Sequence, residues 1–255
     1  MPMPLLMPAL LCSAVLAAEP AASGPGLVSR LTPQPQRLSL QDGFFSLRRV
    51  SVAVSVPSGP EHDACRTILD EALRSAGVTL PVRQLGRESG NRFTFGAGCA
   101  VPPLPAAGHA REAYSLAVGP SGATAAAASP AGLLYAAQTL RQLLRIFAQQ
   151  GHLPAMTIVD YPEFKTRGIY IEGGQERFGR IVDKEYLREQ IRRLAEFKMN
   201  TLVIECYNLF PFPSFPACAD SGTLSREDCR ELIAEANRCH VTIVPSLQTS
   251  STSRS

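Results

Sequence analysis

The sequence has no long run of like charge. Its 255 residues include 25 lysines and arginines and 22 aspartates and glutamates, for a net charge of +3 at pH 7. The basic residues are scattered, without the clusters that neutralise phosphates, so no binding to nucleic acid is expected. A hydrophobic fraction of 45% beside 18% charged residues is typical of a chain that buries a core. The length predicts one or two domains.

The sequence also lacks the spacings of a metal site. No two cysteines form a C-x-x-C pair, and none of the four histidines has a partner at ligand spacing. We therefore predict no metal site. The last four cysteines are consistent with one or two disulfides in an oxidising compartment, or equally with small buried thiols. They are Cys206, Cys218, Cys229 and Cys239.

The N-terminus predicts an export signal. "LLMPALLCSAVLAA" is apolar and too short to span a bilayer, and the small residues at its end suit a signal peptidase. We expect a signal peptide over residues 1–18, a secreted or periplasmic protein and no membrane span. Residues 19–36, rich in proline, alanine and serine, predict a linker.

Residues 37–160 are predicted to form an α+β domain. Strands are expected in "FFSLRRVSVAVSV", "RFTFGAG" and "TIVDYPEF", and a hairpin around the turn Gly119–Gly122. Amphipathic helices are expected in "EHDACRTILDEALRSAG" and "SPAGLLYAAQTLRQLLRIF", the second capped by Ser129 with Pro130 at its first position. This segment has no acid/base pair, nucleophile arrangement or glycine-rich phosphate loop, so it is interpreted as structural support.

Residues 161–255 show a different pattern, β-α-β-α-β. The apolar strands "RGIYIE", "NTLVIECYN" and "HVTIVPSLQ" alternate with the helices "DKEYLREQIRRLAEFK" and "SREDCRELIAEANRC". Continuous apolar strands joined by helices are typical of a parallel sheet that is buried on both faces.

Polar side chains follow the carboxyl ends of these strands, where α/β folds place their ligand sites. Carboxylate, amide and guanidinium groups suit hydrogen bonding to a polyhydroxylated ligand. The predicted substrate-binding residues are Glu172, Gln175, Arg177, Glu205 and Asn208. A carboxylate that ends a buried strand costs energy unless it is paired or faces a cavity, so Glu172 and Glu205 are as consistent with binding as with structure.

Two further features have open interpretations. Arg167 precedes the first of these strands, so it is expected at the opposite, stabilising end of the sheet. The segment "FPFPSFP" after the second strand is consistent with a rim that stacks on sugars and equally with packing of a loop.

Four stretches resemble glycoside hydrolase family 20. "EAYSLAVGPSGATAAAASPAGLLYAAQTLRQLL" resembles the small α+β domain that precedes the catalytic barrel, and "IVDYPEFKTRGIYIE" resembles the domain junction with the first barrel strand. "LAEFKMNTLVIECYNLFPF" and "SREDCRELIAEANRCHVTIVPSLQT" are similar to the second and third strands of its hexosaminidase D-like branch.

The resemblance implies an α+β domain over residues 37–160, followed over residues 161–255 by the first β-α-β-α-β part of a (β/α)8 TIM barrel. It implies a retaining exo-β-N-acetylhexosaminidase that acts on glycans containing N-acetylhexosamine and uses no metal or organic cofactor. In that family the sugar's acetamido oxygen attacks the anomeric carbon, an Asp orients the acetamido group, and the adjacent Glu is the general acid/base.

The sequence departs from the family pattern at several positions. The family has an Arg three residues after the acid of the first strand, where this chain has Gln175, with Arg177 two residues further. Its branch ends the second strand in an acid-aromatic-acid-acid cluster, of which only Glu205 matches. The family's Asp-Glu pair follows a fourth strand, and three parallel strands cannot close a barrel. We therefore expect a truncated chain without a catalytic residue or glycosidase activity of its own.

Two other hypotheses remain. One is a secreted, non-catalytic module that binds carbohydrate or another partner through the α+β domain alone. The other is a hexosaminidase similar to glycoside hydrolase family 84, which shares the preceding domain type.

Overall fold

The computed structural model describes residues 26, 29–48, 53–78, 92–97, 110–172, 182–206, 209–214, 216–219 and 223–247. The predicted signal peptide lies outside these residues. So do three of the predicted site residues, Gln175, Arg177 and Asn208.

The described part forms two sheets and four helices. The first sheet contains β1 (Arg37–Ser46), β2 (Ala53–Ser55), β3 (Arg92–Ala97), β4 (Tyr114–Gly119), β5 (Gly122–Ala127) and β6 (His152–Asp160). The second sheet contains β7 (Gly168–Glu172), β8 (Thr201–Glu205) and β9 (Thr242–Ser246). The helices are α1 (Asp63–Ser75), α2 (Pro130–Phe147), α3 (Lys184–Glu196) and α4 (Arg226–Arg238).

The first sheet is mixed and has the strand order β1-β6-β4-β5-β3-β2. β1, β6, β4 and β5 pair antiparallel, whereas β5, β3 and β2 pair parallel. The predicted hairpin is present as β4 and β5, and helices α1 and α2 pack together beside the sheet. This arrangement agrees with the α+β architecture expected for this part of the chain.

Helix α2 forms as its sequence predicts. The side chain of Ser129 accepts a hydrogen bond from the N–H of Gly132, and Pro130 occupies the first turn, where its missing N–H costs nothing. The predicted apolar stripe is fully buried: Leu133, Ala137, Leu140, Leu144 and Phe147. Spacing of three and four residues places these side chains on one face of the helix, against the sheet.

Two strands differ from the sequence prediction. The run over residues 44–56 is not one strand, because β1 ends at Ser46 and β2 begins at Ala53. Strand β6 begins at His152, five residues before the predicted start, although it contains Pro154. Over residues 152–155, β6 pairs only with β1, so the missing N–H of Pro154 deprives no second neighbour of a hydrogen bond.

The end of the segment predicted as a linker contacts the first domain. Leu31 is 2% exposed and belongs to the core. The N–H of Thr32 donates to Gln142 Oε1 at 2.8 Å, and Gln142 Nε2 donates to the carbonyl of Thr32 at 2.6 Å. Residues 31 and 32 are thus fixed on helix α2.

The second sheet has the order β7-β8-β9, and both pairs are parallel, as predicted. Helices α3 and α4 connect the strands, and the buried side chains of α3 are the predicted ones: Leu187, Ile191, Leu194 and Ala195. On the strands, Leu202 and Ile204 are buried, whereas Tyr170 is 52% and Val244 39% exposed. In the described residues the sheet therefore has one covered face and one open face.

Helix α4 begins in a capping box. Ser225 accepts from the N–H of Asp228, and the Asp228 carboxylate accepts from the N–H of Ser225 at 3.0 Å. This reciprocal pair satisfies two backbone donors that would otherwise have no partner.

The described cysteines include four free thiols: Cys65, Cys206, Cys229 and Cys239. Burial raises the pKa of Cys65 to about 12 and that of Cys239 to about 11. These two side chains therefore remain protonated near neutral pH and behave as small apolar groups. No helix among the described residues is long and apolar enough to span a bilayer.

Candidate functional site

The three strands of the second sheet end together, at what we call the carboxyl edge, defined by Glu172, Glu205 and Ser246. The parallel register pairs Glu172 with Glu205 and Glu205 with Ser246. The N–H of Cys206 donates to the carbonyl of Ser246 at 2.7 Å, which extends the pairing past the last strand residue. Two of the five predicted binding residues are thus neighbours. The roles of Gln175, Arg177 and Asn208, outside the described residues, remain predictions.

Glu205 is buried, with 3% of its surface exposed. The hydroxyl of Tyr170 donates to its Oε2 atom. The other carboxylate oxygen, Oε1, is buried and accepts no hydrogen bond within the part of the chain that the structure describes. Most buried polar atoms are hydrogen-bonded, so this oxygen requires an explanation.

Tyr170 is a residue that sequence reasoning missed. Side chains alternate along a strand, so Tyr170 shares the open face of the sheet with Glu172, two residues later. It lies diagonally from Glu205 across the β7–β8 pair, within reach of an aromatic side chain. The apolar strand "RGIYIE" suggested burial on both faces, which gave no reason to single out its tyrosine. The spacing of two from Glu172 is the signal that identifies it.

The opposite end of the second sheet contacts the first sheet at what we call the domain junction, formed by Arg167, Lys198, Asn200, Glu112 and Asp160. The guanidinium of Arg167 donates to Glu112 Oε2 at 2.6 Å and to the carbonyl of Lys198 at 2.8 and 2.9 Å. Asn200 Nδ2 donates to the other Glu112 oxygen at 2.9 Å. Arg167 therefore lies at the stabilising end, where strand polarity placed it.

A buried ion pair crosses the domain junction. Lys198 and Asp160 are each 6% exposed, and Lys198 Nζ lies 2.7 Å from Asp160 Oδ2 and 2.8 Å from the hydroxyl of Tyr114. Tyr114 also donates to Asp160 Oδ2 at 2.9 Å. Burial lowers the pKa of Lys198, and the adjacent Asp160 carboxylate opposes that shift. The backbone of Lys198 has a positive φ of 57°, at the point where the chain turns from α3 into β8.

Two cavities, of about 530 and 580 Å³, open at the domain junction. Tyr135, Lys198 and Asp160 are among the side chains that line the larger one. A large cavity with a few polar groups is usually the first candidate for a ligand site. Here the buried polar groups bond to one another across the junction, so we interpret this cavity as incomplete packing between two domains.

His240 lines the same cavity as Glu112 and Asn200 of the domain junction, and His62 is near enough to affect its charge. His240 has a positive φ of 53°, and its Nε2 atom lies 3.2 Å from the carbonyl oxygen of Glu61. Burial lowers the pKa of His240 below 6.5, the Glu61 carbonyl opposes this shift, and His62 adds to it. Glu112 and the Glu61 carboxylate also face His240 and favour its charged form.

This depressed pKa predicts a loss of stability in mild acid. The unfolded chain takes up the His240 proton below about pH 6.5, before the folded chain does. The stabilising contribution of neutral His240 is therefore complete above pH 6.5 and decreases as the pH falls toward the folded-state pKa.

We expect the free energy of unfolding, measured in urea from pH 7.5 to 5, to decrease less in His240→Asn than in the unmodified chain. Asparagine tolerates positive φ and does not titrate. Identical pH profiles would exclude this role for His240.

No group of three or more His, Cys, Asp or Glu side chains that could hold a metal ion occurs in the described ranges. At the carboxyl edge, the carboxylates of Glu172 and Glu205 and the phenol of Tyr170 are groups that form hydrogen bonds.

Residues 28–161, just over half of the chain, match the model of glycosyl hydrolase family 20, domain 2. No curated protein sequence is similar enough to this chain to count as a match.

Several solved structures share the fold. The N-acetyl-β-hexosaminidase of Streptomyces plicatus in complex with Thio-NAglucal is 23% identical, with a TM-score of 0.68 over 87% of this chain. The Flavobacterium johnsoniae chitobiase is 20% identical, with a TM-score of 0.65 over 85%. The β-N-acetylhexosaminidase of Bacteroides fragilis is 19% identical, with a TM-score of 0.63 over 85%. This chain covers 46%, 34% and 44% of these three structures, respectively.

Proposed function

Because this chain belongs to glycosyl hydrolase family 20, we propose that the whole protein removes terminal β-linked N-acetylhexosamine from glycans or glycoconjugates. The proposed mechanism is retaining and substrate-assisted, with the acetamido oxygen of the sugar as nucleophile. The observation that carries the proposal is the pairing of Glu172 with Glu205 at the carboxyl edge of a parallel sheet that directly follows the family 20 domain.

In this proposal, β7, β8 and β9 are the first three strands of a (β/α)8 barrel. The parallel pairing and the crossover helices α3 and α4 support this assignment. So does the open face of the sheet, because parallel sheets are normally covered on both faces. The fold similarity to the solved structures extends over a larger share of the chain than residues 28–161 alone.

We assign substrate binding to Glu172 and Glu205, together with Gln175, Arg177 and Asn208. No catalytic residue is assigned within the 255 residues, because the strand ends Glu172, Glu205 and Ser246 do not carry the Asp-Glu pair that the resemblance requires. The protein is further proposed to be secreted or periplasmic, on the basis of the apolar segment in residues 1–18.

The proposed reaction is tested by incubating the whole protein with aryl β-glycosides of GlcNAc, GalNAc and glucose. We expect cleavage of the two N-acetylated glycosides only, since glucose lacks the acetamido nucleophile. The first anomer released is expected to be β, because two inversions at the anomeric carbon retain its configuration. Cleavage of the glucoside at a similar rate, or release of the α-anomer, would contradict the mechanism.

A further inference from the structure

The smaller cavity at the domain junction, of about 530 Å³, has basic side chains from three separate segments in its wall. Arg111 lies just before β4, Lys165 lies in the connection between β6 and β7, and His240 follows α4. The volume is within the range of sites for small molecules. Because a concave surface with an excess of positive charge concentrates counter-ions, this cavity favours an anion.

Glu112 also lines this cavity, but its negative charge is already compensated. Arg167 donates to Glu112 Oε2 at 2.6 Å and Asn200 donates to Oε1 at 2.9 Å, so both carboxylate oxygens have donors. Arg111 and Lys165 are exposed, and within the described ranges neither side chain pairs with a carboxylate. The charge that is left unpaired at the cavity is therefore positive.

His240 adds a third positive charge when it takes up a proton. The Glu61 carbonyl can only accept a hydrogen bond, so Nε2 of His240, 3.2 Å away, carries the ring proton, and Nδ1 of the neutral ring is an acceptor. Burial and the nearby His62 lower the pKa of His240, whereas Glu61 and Glu112 oppose this shift. A bound anion would also favour the charged ring, in which Nδ1 becomes a donor. The binding of an anion and the protonation of His240 are therefore coupled.

We propose that Arg111, Lys165 and His240 form a binding site for an oxyanion, a sulfate or phosphate group that is either free or esterified to a sugar. The guanidinium of Arg111 donates in the fixed fork that matches such a group, and Lys165 supplies a mobile positive charge. Asn237 and Thr242, also in the cavity wall, provide neutral donors.

The bound anion would bridge the two parts of the chain, since Arg111 belongs to the first domain and His240 follows α4. Thr242 begins β9, so the site lies at the end of the second sheet opposite the carboxyl edge. The proposal therefore does not depend on the proposed reaction.

The experiment titrates the 255-residue chain with sodium sulfate at pH 6 and follows its backbone amide signals by NMR, with sodium chloride at equal ionic strength as reference. Sulfate is expected to shift the signals of Arg111, Lys165 and His240, and chloride to leave them nearly unchanged. Arg111→Gln is expected to weaken sulfate binding about threefold to tenfold, and the double variant with Lys165→Gln about tenfold or more.

The variants have a matched control. Arg111 and Lys165 are both exposed, so their replacement by glutamine is expected to leave the fold intact. Arg230→Gln removes an equal charge from a side chain that is 69% exposed and pairs with Glu227 on α4. It is expected to bind sulfate as the unmodified chain does.

The pH dependence of binding tests the role of His240. Sulfate keeps its charge between pH 7.5 and 5.5, so a change in affinity reports protonation of the protein. The unmodified chain is expected to bind sulfate about threefold or more tightly at pH 5.5 than at pH 7.5, whereas His240→Asn is expected to bind equally at both. Equal affinity of the unmodified chain at the two pH values would remove His240 from the site and overturn the proposal.

A second set of ligands distinguishes a free ion from an esterified group. Tighter binding of glucose 6-sulfate than of sulfate would assign the site to a sugar ester, and the reverse order would assign it to the free ion; both outcomes support an oxyanion site. Glucose is the neutral control and is expected to leave the three signals unchanged. The site would be overturned if sulfate shifts them no more than chloride does, if the double variant binds sulfate equally, or if glucose and glucose 6-sulfate give equal shifts.

Discussion

Replacing Lys198 by methionine is expected to destabilise the protein by about 3–5 kcal/mol, the cost of leaving one member of a buried ion pair without its partner. The Asp160 carboxylate would keep the hydrogen bond from Tyr114 but would lose its only cation among the described residues. Methionine fills a similar volume, so the loss reports the charge and not a cavity. Urea unfolding measures the free energy of unfolding, and the melting temperature is expected to fall by roughly 6–20 °C.

Two comparisons identify the cause of this loss. Lys184→Met removes a lysine on the surface that pairs with Asp228 and Glu231, and is expected to change the melting temperature little. The double variant Lys198→Met, Asp160→Leu removes both buried charges and is expected to be more stable than Lys198→Met alone. If Lys198→Met and Lys184→Met unfold at the same urea concentration, the buried pair does not hold the domain junction together.

Replacing Arg167 by alanine is expected to cost about 2–4 kcal/mol, because several charge-assisted hydrogen bonds are lost at one partly buried position. Among the described residues, Glu112 would keep the amide of Asn200 as its hydrogen-bond donor. The carbonyls of Lys198 and Phe164 would lose their guanidinium donor. The expected result is a lower melting temperature together with faster proteolysis between the first and second sheets. Urea unfolding and limited trypsin digestion measure the two effects.

The geometry of the guanidinium provides a stricter test. Arg167→Lys keeps the charge but cannot donate in several fixed directions at once, so it is expected to recover less than half of the lost stability. Arg193→Ala is the control, since Arg193 is 63% exposed and pairs with Glu189 on the surface of α3. A loss of stability in Arg193→Ala as large as that in Arg167→Ala would show that the domain junction has no special role.

The elements that were predicted correctly are those specified by local signals. Helix α2 follows from one cap, one proline and one apolar stripe, and each signal lies within the helix itself or next to it. The parallel second sheet follows from apolar strands that alternate with helices. In both cases the residues that decide the structure are close together in sequence.

The features that were not predicted depend on residues distant in sequence. Lys198 follows a charged helix and resembles a solvated helix end, yet its partner Asp160 lies 38 positions earlier, on β6. Strand β6 contains Pro154, which argues against a strand until its pairing with β1 alone over residues 152–155 is known. Glu205 was predicted from its position at a strand end. Its hydrogen bond with Tyr170 depends on the register between two strands, which the sequence alone does not specify.

The most direct test of the carboxyl edge as a sugar-binding site is NMR chemical-shift mapping of the 255-residue chain with GlcNAc, and with glucose for comparison. We predict that GlcNAc shifts the backbone amide signals of Tyr170, Glu172 and Glu205, that glucose shifts them less at the same concentration, and that Tyr114 and Lys198 at the domain junction are unaffected. Shifts confined to Tyr114 and Lys198, or equal shifts with both sugars, would contradict a site for N-acetylhexosamine at the carboxyl edge.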